Sequence, residues 1–176
     1  ISTGPAHIVD RPHQPLLTNM AHPNTRITNF TNRTITVTPV LDTNAYAAGD
    51  VLFAATELDF GNAHVSGVIK HASILDQDDQ AAQTITLYFA GETFTLGTAN
   101  AAISISDTDA AKLLGTANVT TSTDLVGSRF GQNTAIDLPF SVNAGSLYVA
   151  ASTGGTPTHT ASGIKLRVTI EVHTEN

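Results

Sequence analysis

Ile164-Lys165-Leu166-Arg167-Val168-Thr169-Ile170-Glu171-Val172-His173 alternates apolar and polar residues without a break. Side chains on a strand point to opposite faces with period two, so this stretch reads as a half-buried β-strand. Ile164, Leu166, Val168, Ile170 and Val172 form the predicted inner row, and Lys165, Arg167, Thr169, Glu171 and His173 the outer one. An antiparallel sheet covered on one face gives this pattern, whereas parallel strands tend to be apolar throughout.

The same pattern recurs upstream. Ile35, Val37 and Pro39 alternate with Thr34, Thr36 and Thr38, and Ile85, Leu87 and Phe89 alternate with Thr84, Thr86 and Tyr88. Strands are also predicted at Val51–Ala54, Val65–Leu75 (with Gly67 as a bulge), Asn118–Thr121, Ala135–Val142 and Leu147–Ser152, with short apolar-polar stretches between Gly91 and Gly97 and at Ile103–Ile105. One short helix is expected from Ser106, an N-cap with Asp109 three residues on, to Gly115 as its C-terminal stop, with Ala110, Leu113 and Leu114 as its apolar face. Short strands separated by turn signals define an all-β chain, and the preferred architecture is an antiparallel β-sandwich of jelly-roll type. Threonine fits this reading: 27 of the 176 residues are Thr, a β-branched polar residue suited to the solvent face of strands.

Residues 1–32 differ in kind. Pro5, Pro12, Pro15 and Pro23 interrupt any helix or central strand, and the apolar residues keep no period. The segment reads as an extended N-terminal arm on a domain spanning 33–176. Ordering such an arm is entropically costly unless it buries surface, and a neighbouring subunit is the natural place. Ile8, Val9, Leu16 and Leu17 are its proposed assembly anchors.

Composition narrows the function. The net charge is −7, and the only lysines are Lys70, Lys112 and Lys165, without a basic cluster, which argues against nucleic acid as a partner. No run approaches the roughly 18 apolar residues of a membrane span. With no cysteine there is neither a disulfide frame nor a thiolate metal site. Neither a nucleophile elbow nor a phosphate loop occurs, so no catalytic or cofactor-binding residue is assigned. Seven histidines (His7, His13, His22, His64, His71, His159 and His173) show no metal-ligand spacing, and no metal is assigned. Asp76, Asp78 and Asp79 lack the glycine and glutamate spacing of an EF-hand and read as a solvated hairpin tip. Tyr46 and Tyr88 are the candidate aromatic platforms for a weak glycan site.

Ile136-Asp137-Leu138-Pro139-Phe140-Ser141-Val142, Ser146–Ala150 and Gly155-Thr156-Pro157-Thr158, together with "SDTDAAKLLG" at Ser106–Gly115 and "YAAGDVL" at Tyr46–Leu52, carry a resemblance. Over about residues 34–173 the chain resembles virion structural proteins of tailed bacteriophages, of the type that decorates or cements the head. The resemblance implies a non-enzymatic protein that forms a homo-oligomer, dimer or trimer, and bridges major capsid protein subunits. It also implies a place on the outer capsid surface after assembly in the host cytoplasm. The alternative is a tail or fibre component contacting host glycans; a sandwich-fold hydrolase or lyase ranks third.

Overall fold

The computed structural model describes residues 28–61, 65–143 and 145–175. Ten strands and one helical turn follow one another: β1 (Thr28–Val37), β2 (Val51–Asp59), β3 (Val65–Asp76), β4 (Thr84–Ala90), α1 (Asp107–Ala110), β5 (Leu113–Thr120), β6 (Thr123–Asp124), β7 (Arg129–Asn133), β8 (Leu138–Val142), β9 (Ser146–Thr153) and β10 (Ile164–Glu175). Every strand pair is antiparallel.

The pairing is nested. β1 pairs with β10, β2 with β9, β3 with β8, and β4 with β5. This long antiparallel ribbon is then rolled, so that β10 also pairs with β3 and β9 with β4. One sheet runs β1-β10-β3-β7-β6 with β8 beside β3, and the other runs β2-β9-β4-β5. β7 and β8 border successive halves of β3 and act as one interrupted strand. The result is the jelly roll expected from the sequence, an architecture that viral capsid domains share with lectin domains and cupins.

β10 is a central strand, and its predicted inner row is the core: Ile164, Leu166, Val168 and Ile170 are wholly buried and Val172 nearly so. They face Leu52, Phe53, Leu58, Leu87, Phe89 and Val149 among others. Burying an aliphatic or aromatic side chain stabilises the fold by roughly 1.5–3 kcal/mol, so this row dominates its strand's energetics. β4 keeps its predicted faces too. Threonines on the outer surface pair across strands, Thr34 with Thr169 and Thr84 with Thr120, each 2.9 Å between hydroxyl oxygens.

Several expectations change. β1 begins at Thr28, so residues 28–32, counted with the arm, are ladder partners of Glu175–Glu171. Gly67 is no bulge. It sits in register opposite Val172, and a Cβ there would overlap the Glu171 carbonyl. The ladder slips between Thr169 and Ile170 instead, where Lys70 is the extra residue.

The helix is a single turn. Ser106 caps it as predicted, its hydroxyl accepting from the Asp109 amide at 3.1 Å. Leu113, Leu114 and Gly115 lie on β5 rather than on a helical face, because pairing with Phe89 and Ala90 of β4 overrides local preference. Ile103–Ile105 is not a strand. The 91–105 segment lies over the outer face of the second sheet, where Phe94 and Leu96 bury Val51, Ala90 and Ala150 in a satellite cluster flanked by Tyr88 and Tyr148. β6 and β7 have no counterpart in the sequence reading.

Candidate functional site

At one end of the sandwich three connections meet: residues 38–50 between β1 and β2, 77–83 between β3 and β4, and 154–163 between β9 and β10. Backbone bonds stitch them together. The Leu41 amide donates to the Ala161 carbonyl at 3.1 Å, the Tyr46 amide to the Pro157 carbonyl at 2.9 Å, and the Gln77 amide to the Gly163 carbonyl at 2.8 Å.

Asp76, Asp78 and His159 lie at this junction. Asp76 is the last residue of β3, and its side chain is fully buried. Its carboxylate accepts from the amides of Asp78 (3.0 Å) and Gln80 (3.2 Å), which folds the turn back on itself. Asp78 reaches across to the 154–163 connection and accepts from the Thr160 amide at 2.8 Å and the Thr160 hydroxyl at 2.9 Å. It occupies the space that a side chain at Gly163 would need, which explains why that position has none.

The His159 side chain is also fully buried, with Nδ1 3.4 Å from Asp78 Oδ2 and 3.7 Å from Asp76 Oδ1. Neither ring nitrogen makes a hydrogen bond. Among the described residues these three form the one group of His, Asp or Glu side chains whose ligand atoms all lie within 4.8 Å of one another. Burial pushes the Asp76 carboxyl above the ordinary carboxylate range, against the pull of the Asp78 amide and of His159. An open depression of about 500 Å³, lined by Thr43, Asp78, Gln80, Thr158, His159 and Thr160 among others, adjoins the group. A buried carboxylate, a partly buried one and a buried imidazole together call for positive charge, from a proton on His159 or from a cation.

Asp76 and Asp78 are therefore not part of a solvated tip, whereas Asp79 is exposed as expected. The sequence reading separated the acids from His159 because the two loops are distant in the chain, Asp78 and Thr160 being 82 positions apart. Tyr46 is corrected as well. It is buried, its hydroxyl donating to the Leu52 carbonyl (3.0 Å) and accepting from the Asp42 amide (2.8 Å), and so offers no glycan platform. Its ring stands edge-on to His159, 6.3 Å between centroids. Tyr88 is half-buried, with its hydroxyl 3.4 Å from Ser152 Oγ. His71 and His173 stand half-exposed on β3 and β10. The anchors Ile8, Val9, Leu16 and Leu17, and with them His7, His13, His22 and His64, lie outside the described residues.

Elsewhere the surface carries a few large apolar side chains. Leu125 and Val126 form the tip between β6 and β7, with Val126 96 % exposed at φ 69°. Phe30 is 61 % exposed on β1, an edge strand among the described residues, and packs edge-on against His173.

Comparison with models of protein families and with curated proteins gives no match. Among solved structures, a chain of Desmodium yellow mottle tymovirus aligns with 99 % of this chain over 96 % of its own length, at 12 % identity and a TM-score of 0.32. The strand order described above stands without that likeness.

Proposed function

We propose that the chain is a non-enzymatic structural subunit of a virus particle, a decoration or cement protein of a tailed-phage head. In this reading it self-associates and bridges major capsid protein subunits from the outer surface. The observation that carries the reading is the nested jelly-roll order of β1 to β10, taken with the resemblance borne by the Ser106–Gly115 and Ile136–Ala150 stretches. The step from architecture to role is one of analogy. The surface is compatible with it: among the described residues β1 leaves one edge unpaired, and the Leu125–Val126 tip presents adjacent apolar side chains to any neighbour. Burial of Tyr46 removes the main support for the glycan-binding alternative.

Light scattering on the full chain, on a form starting at residue 28, and on a Leu125→Asp/Val126→Asp double variant tests the proposal. The cut falls at 28 because residues 28–30 belong to β1. An oligomer that dissociates in either altered form supports the subunit reading. A monomer in all three, which also fails to sediment with phage heads, would overturn it.

A further inference from the structure

We propose that Asp76, Asp78 and His159 bind one divalent first-row transition cation, of the zinc or manganese class, which clasps the 77–83 and 154–163 connections together. The starting point is His159. A fully buried imidazole with neither nitrogen hydrogen-bonded is rare, since buried polar groups nearly always have a partner. Its Nδ1 points between two carboxylates, at distances that suit ligands of a shared ion. Bonds of about 2.0–2.2 Å place neighbouring ligand atoms about 3–3.6 Å apart; the observed 3.4 Å falls in that range and the 3.7 Å lies just above it, so binding would draw Asp76 and His159 slightly together.

The carboxylates are already oriented for such a role. Asp76 is held by the Asp78 and Gln80 amides, and Asp78 by the Thr160 amide and hydroxyl. An ionised carboxylate has about four lone-pair sites, so these bonds leave room for a ligand bond on each side chain. They correspond to the outer-shell contacts that fix ligand orientation in metal centres.

Charge and donor type complete the argument. Two carboxylates, Asp76 buried and Asp78 partly so, bring two negative charges together, and a divalent ion neutralises both. An imidazole nitrogen among the donors favours zinc or another first-row ion over calcium or magnesium, which prefer oxygen throughout. The adjoining depression, bordered by Thr43 and Thr160, leaves a side from which water completes the coordination shell. Such an ion would tie the start of β10 to the end of β3 through side chains as well as through the sheet. The inference does not depend on the virion reading, and the failure of one leaves the other standing.

The competing arrangement is a protonated His159 paired with both acids and no cation. Calorimetric titration of the chelator-stripped full chain with zinc chloride separates the two, run beside His159→Gln. The expected result is one site in the unaltered protein, weakened at least roughly a hundredfold in the variant. An absence of binding, or an isotherm identical in both proteins, overturns the proposal and leaves the imidazolium pair. Should H159Q fail to fold, crystals of the unaltered chain soaked in zinc or manganese decide. An anomalous peak about 2.0–2.3 Å from His159 Nδ1 and both carboxylates upholds the site, and no peak there sinks it.

Discussion

β10 and the loop junction beneath its first residue are neighbours held by different physics. The strand is gripped between β1 and β3, with five apolar side chains in the core. Its stability comes mainly from burial, which is non-directional and spread over many contacts. The junction of residues 77–83 with 154–163 buries one acid, Asp76, and an imidazole, holds Asp78 at its margin, and relies on a few directed bonds. Changes to the strand should therefore scale with volume, and changes to the junction with charge and solution conditions.

The largest effect is expected at Gly67. An added Cβ meets the Glu171 carbonyl on the central strand, and the next nearest atoms, of Glu171 and Val172, are backbone as well, with nothing flexible to yield. Gly67→Ala is expected to cost more than about 4 kcal/mol or to abolish a cooperative thermal transition. A mild shift would mean that β3 and β10 are further apart than described. Leu166→Ala comes next, at about 2–5 kcal/mol by denaturant titration. A loss under about 1 kcal/mol would contradict its place in the core.

Tyr46→Phe sharpens the contrast from the other side. It keeps the ring and removes one hydroxyl, orphaning the Leu52 carbonyl and the Asp42 amide, and should cost about 1–3 kcal/mol. Ser106→Ala removes the cap of a one-turn helix and is expected to cost about 0.5–2 kcal/mol, towards the low end at so exposed a site.

The smallest effect concerns Asp109, whose carboxyl is held below the ordinary range by its hydrogen bond to Lys112, 2.7 Å away. A lowered folded-state value makes the contribution complete above the ordinary carboxylate value and lost as pH falls through the lowered one. Asp109→Asn should lower stability slightly at neutral pH and flatten the acid limb of the profile, so that the two proteins converge as pH falls below the lowered value. An unaltered acid limb would show that the pair adds nothing measurable.

The same contrast explains what the sequence disclosed. Alternation in β10 and β4 is visible because each side chain's face follows from its own position. The capping role of Ser106 is equally local. Arg129-Phe130-Gly131-Gln132-Asn133 has no alternation, and it becomes β7 through its register with Ala72–Asp76 of β3. Leu113 and Leu114 read as the face of a helix, yet β4 recruits them into a strand. The Asp76–Asp78–His159 group was hidden for a related reason, since no short-range spacing joins a β3 terminus to the loop before β10. One signal was present: three acids between two strands beside a loop histidine, under a fold whose loops collect at one end.

The place of β10 in the sheet bears on the order in which the protein is made. A chain emerges from the ribosome N-terminus first, so the strand that joins β1 to β3 is delivered after all the others. Until residues 164–175 arrive, β1 and β3 each present an open edge in what will be the middle of a finished sheet. The nascent domain thus waits with its seam unclosed, and its last segment works as the zip.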